Sequence, residues 1–185
     1  LSRRQRQMCI RDREYIAYIG RLSYEKGYDL LVEVARKHPE IKFRFAGAQR
    51  EQKNTDIPSN VEFAGYLQKD KLLEFIQKAR FIVIPSRCYE GFPMAILEAA
   101  CHGKPAIASN HGGFTEIIGQ GENAIGKLFE PGNIDDLDKQ IAELWNNQTL
   151  TEELGEKAFR KLKKHYDSEV VYKQWETLFS KLKNS

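Results

Sequence analysis

Long apolar runs are absent from the 185 residues, and cysteine is scarce. A transmembrane helix needs about 20 consecutive, mostly apolar residues, and no stretch of the sequence approaches that length. The three cysteines, Cys9, Cys88 and Cys101, are odd in number and lack the spacing of a metal site. We therefore expect neither a disulfide framework nor a zinc site. This composition is typical of the reducing cytoplasm, and we expect any membrane contact to be peripheral, on the inner face.

Strands and helices are predicted to alternate along most of the chain. With 41% hydrophobic and 11% aromatic residues, the sequence can bury one substantial core. Continuously apolar segments such as residues 15–20 are typical of a parallel sheet covered on both faces. The alternation predicts an α/β protein with a Rossmann-like, doubly wound parallel sheet. The predicted strands are residues 15–20, 41–47, 61–65, 81–84, 105–109 and 124–129, and the predicted helices are residues 28–38, 69–78, 114–118, 133–147, 151–164 and 168–183, with one more that starts at Pro93.

The first thirteen residues differ from the rest in charge. They contain five arginines and one acidic residue, so their net charge is +4, against −1 for residues 14–185. Arginine clusters neutralise phosphates, but this one has no interleaved aromatic residues and no recognition helix after it. We therefore expect no nucleic-acid partner. We interpret residues 1–13 as a non-native or disordered leader, and residues 14–185 as the folded domain.

Residues 81–100 have the pattern of a strand, a loop and a helix. Residues 81–84 are apolar and mostly β-branched, and Pro85 marks the end of that strand. Gly91 is expected to allow a tight turn, and Pro93 suits the first position of a helix because its missing N–H costs nothing there. The start of such a helix presents free N–H groups and the positive end of a dipole. We therefore expect an anionic ligand at this loop.

Two carboxylates frame this loop, Glu90 before the helix and Glu98 on it. A nucleotide sugar would suit the site, because its diphosphate lies between a hydroxyl-bearing sugar and a ribose. With seven residues between the glutamates, the stretch resembles the E-x7-E element of glycosyltransferase family 4, the glycosyl transferases group 1. The resemblance implies that Glu90 contacts the donor sugar and Glu98 the ribose. It also assigns to the donor site the intervening residues Gly91, Phe92, Pro93 and Leu97.

A second motif, residues 20–27, follows the first predicted strand. Ligands of open α/β sheets bind at the carboxyl ends of the strands, where this loop begins. Arg21 can donate two parallel hydrogen bonds to a phosphate, and Lys26 adds a compact charge. Gly-Arg-Leu-x-x-Glu-Lys-Gly resembles the diphosphate-binding motif of the same family, which implies that Arg21 and Lys26 bind the donor diphosphate. Because these cations and the helix end supply the counter-charge, we expect no metal and no cofactor.

The resemblance covers almost everything after residue 14 and implies a fold and an activity. Family members have two Rossmann-like domains in the GT-B arrangement, with the active site between them. This chain corresponds to the C-terminal, donor-binding half, and we expect it to bind a UDP-, GDP- or ADP-sugar but to be inactive alone. A glycan or lipid-linked saccharide acceptor, from polysaccharide or glycoconjugate biosynthesis, would bind through the missing N-terminal domain. The implied catalytic residues of a configuration-retaining transfer are Arg21, Lys26 and Glu90.

A third loop, residues 111–113, follows the fifth predicted strand. The sequence His-Gly-Gly-Phe-Thr-Glu resembles the family's Gly-Gly-x-Pro-Glu element, with Thr115 in place of proline. We expect the N–H groups of this loop to face the ligand and His111 to be solvated. The final predicted helix has an apolar face, which in the family crosses back toward the N-terminal domain. Packing on its own domain is the alternative.

Two other functions fit part of this pattern. A nucleotide-sugar binding module would need the same loops but perform no chemistry. A nonhydrolysing sugar-nucleotide epimerase also has two Rossmann-like domains, but it would need acid and base carboxylates in the cleft, and its motifs differ from residues 20–27. The sequence leaves the donor base, the sugar and the acceptor open.

Overall fold

The computed structural model describes residues 14–49 and 56–183, so the predicted leader lies outside the described residues. Six strands form one parallel sheet: β1 (Tyr15–Ile19), β2 (Phe43–Ala46), β3 (Val61–Gly65), β4 (Ala79–Ile84), β5 (Ala106–Ser109) and β6 (Gly126–Phe129). Their order is β3-β2-β1-β4-β5-β6. The predicted α/β, doubly wound parallel architecture is confirmed.

The described residues form seven α-helices: α1 (Tyr28–Lys37), α2 (Asp70–Lys78), α3 (Met94–Cys101), α4 (Gly113–Ile118), α5 (Ile134–Asn146), α6 (Gln148–His165) and α7 (Ser168–Lys183). Helix α6 begins three residues earlier than predicted, because the side chain of Asn147 accepts a hydrogen bond from the Leu150 amide and caps it. A 3-10 turn, Tyr24–Lys26, lies between β1 and α1.

The core lies on both faces of the sheet, as the continuously apolar strands predict. Successive side chains of a strand point to opposite faces. In β1, Tyr15 and Ala17 belong to one apolar cluster, and Ile16 and Tyr18 belong to the other. All four are at most 1% exposed, so β1 is the centre of the molecule. Its position is therefore fixed by packing from both sides.

The order of the strands places a crevice beside β1. From β1 the chain builds outward through β2 and β3, then returns to pair β4 on the other side of β1. The loops that leave the carboxyl ends of β1 and β4 therefore run to opposite sides of the sheet. Open α/β sheets bind their ligands in the crevice at such a switch point.

The described residues do not cover the apolar face of α7. Trp175, Leu178 and Phe179 are each about half exposed, and no described residue of α7 is buried. The rings of Trp175 and Phe179 stack on each other at 5.7 Å. The interpretation that this face packs on its own domain is therefore wrong. Among the described residues, no helix combines the length and the apolar character that crossing a membrane requires.

Candidate functional site

A residue of β1 anchors the loop that follows this strand. Tyr18, buried in β1, donates a hydrogen bond from its hydroxyl to the carbonyl oxygen of Arg21, at 2.6 Å. Burial is the main reason why the pKa of Tyr18 is raised, so the hydroxyl keeps its proton. The loop ends at Gly27, which has a φ of 69° and lies so near Pro85 that a Cβ atom would overlap the Pro85 carbonyl oxygen. Glycine is therefore required there by both conformation and space.

Lys26 and Glu90, predicted from separate motifs, are in direct contact. Nζ of Lys26 lies 2.8 Å from Oε1 of Glu90, and both side chains are three-quarters or more buried. Burial is the largest single effect on Lys26 and lowers its pKa, but the hydrogen bond and charge of Glu90, with a contribution from Cys88, raise the pKa above its ordinary value. Lys26 is therefore a cation at neutral pH, and the crevice contains a charged pair.

Arg21 also forms an ion pair, but a more exposed one than that of Lys26. It forms an ion pair of 2.6 Å with Glu25, four residues further along the chain, and the two side chains are 40% and 50% exposed. Exposed pairs of this kind contribute about 0–1 kcal/mol. A phosphate can therefore replace Glu25 as the partner of Arg21 at little cost.

Arg87 is a residue of the site that the sequence analysis missed. Its guanidinium donates to both carboxylate oxygens of Asp29 at 2.7 Å, and also to the carbonyl oxygen of Tyr24 at 2.6 Å. It also covers the Tyr24 ring, 3.9 Å from the ring centre. The backbone amide of Arg87 donates to the carbonyl oxygen of Glu25 at 2.8 Å. The loop after β4 is thus joined to the loop after β1.

Two predictions about the start of α3 are wrong in detail. Pro93 is the N-cap, with φ −75° and ψ 94°, and the first helical residue is Met94. Pro93 therefore ends the extended segment before the helix instead of starting the helix. Gly91 is not one of the glycines with positive φ, and a Cβ added there would meet no atom within 4 Å. The chain bends at residues 91 and 92 without a left-handed glycine, so the fold itself does not require glycine at residue 91.

The other predicted residues of this element have different environments. Glu98 lies half-buried on α3 and has no hydrogen bond or ion pair within the described part of the chain. Leu97 is 8% exposed and packs in the core. Phe92 is 52% exposed, with its ring 5.7 Å from that of Tyr166. Phe92 is therefore exposed and Glu98 partly exposed, whereas Leu97 supports the helix from within.

The loop after β5 supports the Glu90 loop. The amide of Gly113 donates to the carbonyl oxygen of Glu90 at 2.8 Å, so this N–H does not face a ligand as predicted. A nitrogen of the His111 ring, Nε2, lies 3.0 Å from the carbonyl oxygen of Ser86, and the ring packs 4.7 Å from that of Tyr89. His111 is therefore a structural contact between loops, and the prediction that it is solvated is wrong.

An Asp-x-Asp pattern, which the sequence analysis overlooked when it predicted no metal site, is present at residues 136–138. Asp136 accepts a hydrogen bond from the Glu130 amide at 2.7 Å, and Asp138 lies 2.6 Å from Nε2 of His38. These contacts hold α5 in place. Among the described residues, no three histidine, cysteine or acidic side chains are grouped so that they can hold a metal ion.

The fold and this site define the class of protein. The chain is an α/β domain with paired charges and a helix start in the crevice at its switch point, where such sheets bind ligands. It belongs to the glycosyl transferases group 1, because the model of that family matches residues 4–161. The arrangement of its sheet and helices is that of a domain of the GT-B glycosyltransferases.

Individual relatives agree with this assignment. An uncharacterized glycosyltransferase of Methanocaldococcus jannaschii is 34% identical over 151 residues, which are 78% of this chain and 42% of that protein. The crystal structure of a TarM mutant from S. aureus, in complex with Fondaparinux, alpha-GlcNAc-glycerol and UDP, is 26% identical with a TM-score of 0.75 and covers 91% of this chain and 36% of that one. This chain therefore spans less than half the length of either protein.

A third comparison concerns the fold alone. The C-terminal domain of a glycosyl transferase group 1 family protein, LpcC from Francisella tularensis, has a TM-score of 0.70 at 21% identity. That match covers 89% of this chain and 92% of the other. The similarity therefore extends over nearly all of a domain that was crystallised by itself.

Proposed function

We propose that this chain is the donor-binding, C-terminal domain of a GT-B glycosyltransferase that moves a sugar from a nucleotide sugar with retention of configuration. The observation that carries the proposal is the contact between Lys26 and Glu90 across the crevice. It brings a cation suited to a diphosphate within 2.8 Å of a carboxylate suited to sugar hydroxyls. Two motifs that are 64 residues apart in sequence thus meet where one ligand can contact both.

Arg21 and Lys26 would bind the diphosphate and stabilise the negative charge that develops on it as the bond to the sugar breaks. Such charge stabilisation is strong where the site is partly removed from water, as Lys26 is. Glu90 would accept hydrogen bonds from sugar hydroxyls and hold the sugar in place, which is catalysis by positioning.

The start of α3 would hold the rest of the donor. Glu98 is partly exposed and makes no hydrogen bond or ion pair with the described residues, so its carboxylate can accept hydrogen bonds from the ribose hydroxyls. No atom of the described residues lies within 4 Å of a Cβ added at Gly91, so a ligand can approach the backbone closely there. Phe92 borders this space, whereas Pro93 and Leu97 shape and support the helix. In this proposal, the predicted donor residues of this element would together form or support one binding surface.

Several finer expectations belong to this proposal. The cations take the place of a metal ion, so binding would be independent of metal. UDP is the first nucleotide to test, because the TarM structure at 26% identity was solved with UDP. The acceptor would bind an N-terminal domain, and the exposed face of α7 is consistent with contact to that domain. We expect the enzyme to act in the cytoplasm.

Isothermal titration calorimetry of the folded chain with UDP, GDP and ADP tests the proposal. One of them should bind at a single site, with equal affinity when EDTA is present, and the chain should transfer no sugar by itself. The double variant Arg21→Gln, Lys26→Gln should lose this binding. The double variant Arg160→Gln, Lys164→Gln, at two exposed cations of α6, is the matched control for the loss of two positive charges. Absence of heat with all three nucleotides would contradict the proposed function.

A further inference from the structure

The turn that carries Lys26 is too short to hold its own shape. Tyr24–Lys26 is a single 3-10 turn, and its N-cap Ser23 makes no side-chain capping hydrogen bond. Within the turn, Lys26 donates its amide to Ser23 and Gly27 donates its amide to Tyr24. A turn of this length is marginal unless neighbouring groups support it. The direction of the Lys26 side chain therefore depends on contacts from outside the turn.

Besides Tyr18 and Glu90, Arg87 supplies several of those contacts. Its guanidinium donates a hydrogen bond to the Tyr24 carbonyl oxygen and packs over the Tyr24 ring. It also donates to both carboxylate oxygens of Asp29, in the first turn of α1. Its amide and that of Cys88 both donate to the carbonyl oxygen of Glu25, at 2.8 and 3.3 Å. The Arg87 and Asp29 side chains are 22% and 34% exposed, so water competes only partly for this pair. Arg87 therefore contacts the turn on the residues just before Lys26.

We propose that Arg87 is a positioning residue: by joining the loop after β1 to the loop after β4, it fixes Lys26 at the place where the donor diphosphate binds. This inference rests on the proposed function, because the diphosphate is the ligand of that function. Arg87 acts through Lys26 and not on the ligand itself. Both of its terminal nitrogens are already bound to Asp29, and one of them also to Tyr24.

The variant Asp29→Asn separates a positioning role from direct binding. It removes a negative charge near the site and releases the guanidinium of Arg87. If Arg87 bound phosphate directly, Asp29→Asn would strengthen diphosphate binding, whereas Arg87→Gln would weaken it. If Arg87 positions Lys26, both variants break the same pair and both weaken binding, by about tenfold, since small displacements of a positioned group have large effects.

The affinities to compare are those for the nucleoside diphosphate that the wild-type chain binds best and for its parent nucleoside. A positioning role predicts that both variants lose affinity for the diphosphate and retain affinity for the nucleoside. A general loss of structure would weaken both ligands. The control is Arg160→Gln, which removes an exposed arginine whose ion pair with Glu156 lies within α6.

The thiol of Cys88 gives a readout that needs no nucleotide. Sγ of Cys88 lies 3.5 Å from Nζ of Lys26 and 3.2 Å from Oγ of Ser86. With Cys9 and Cys101 changed to serine, alkylation by iodoacetamide reports on this loop alone. In Arg87→Gln and in Asp29→Asn, opening of the joined loops should raise the rate of Cys88 alkylation roughly tenfold.

The outcomes separate the two proposals. Faster alkylation in both variants supports the joining of the loops even if the wild-type chain binds no nucleotide, a result that would overturn only the proposed function. Stronger diphosphate binding by Asp29→Asn would overturn the positioning role. Unchanged alkylation together with unchanged diphosphate affinity in both variants would overturn it as well.

Discussion

The amide nitrogen of Gly113 donates a hydrogen bond to the carbonyl oxygen of Glu90 at 2.8 Å. A Cβ at Gly113 would overlap the carbonyl oxygen of Gly91, so the two loops are in close backbone contact. The side chain of Glu90 is held from the opposite direction by Lys26. The loops after β1, β4 and β5 are therefore one connected unit, in which a change to one loop is expected to reach the others.

Glu90 and Glu98 are expected to respond differently to loss of charge. Glu98→Gln should weaken binding of the nucleoside diphosphate by about one to two decades, because a charge-assisted hydrogen bond to the ribose is worth roughly 1.5–3 kcal/mol. Glu90→Gln should leave that affinity unchanged or slightly higher, since Lys26 loses its carboxylate partner. It should instead abolish most of the preference for the nucleotide sugar over the diphosphate.

Titration calorimetry with the diphosphate and with the nucleotide sugar measures both effects. Glu153→Gln, at an exposed position of α6, is the control. Equal and small losses in the two variants would mean that both glutamates are ordinary surface acids, and the assigned roles would be wrong.

Gly27→Ala is expected to destabilise the protein strongly. The residue has a φ of 69°, and its added Cβ would overlap the Pro85 carbonyl oxygen. Left-handed conformation and overlap together should cost about 3 kcal/mol or more. Gly132 is the matched control, because its φ is 81° and nothing lies within 4 Å of an added Cβ. Gly132→Ala should cost only about 1–2 kcal/mol. Denaturant unfolding of both variants checks this, and equal costs would show that the approach to Pro85 is unimportant.

Gly91→Ala is expected to spare the fold but impair binding. No atom lies within 4 Å of an added Cβ, and φ is not positive, so the free energy of unfolding should change by about 0.5 kcal/mol or less. If the donor approaches this backbone closely, its affinity should fall by at least about tenfold, because the methyl group occupies the ligand's space. Thermal unfolding and titration with the nucleotide sugar measure the two effects. Unimpaired binding would place the donor elsewhere.

The affinity for the nucleoside diphosphate is expected to be constant between about pH 7.5 and pH 8.8. The pKa of Lys26 is raised from its ordinary value of 10.5, because Glu90 and Cys88 together outweigh burial. A raised pKa means that the stabilisation by this pair is complete below the unfolded-state value and is lost only as pH rises through the higher folded value. Both phosphates of the ligand are ionised above about pH 7. Calorimetry across the range checks this, and a tenfold fall within it would show that Lys26 loses its proton there.

The fold could be predicted because the sequence patterns that indicate its strands and helices are local. Apolar strands and amphipathic helices alternate, and each can be recognised within a window of about ten residues. Some of the errors lie at positions where backbone geometry matters, such as Pro93, which is an N-cap, and Gly91, which makes no left-handed turn. Residue type alone allows several backbone conformations at such positions, and packing of the surrounding loops selects one.

The sequence by itself determined the parallel α/β fold and the residue types of the site, because strand patterns and the motifs around Arg21 and Glu90 are contiguous in the chain. Only the tertiary structure decided which groups meet. Lys26 contacts Glu90 across 64 residues, and Arg87 reaches Asp29 across 58. Such pairs depend on which strands are neighbours in the sheet. Packing over the whole core sets that order, so it cannot be read from the side chains of any one segment.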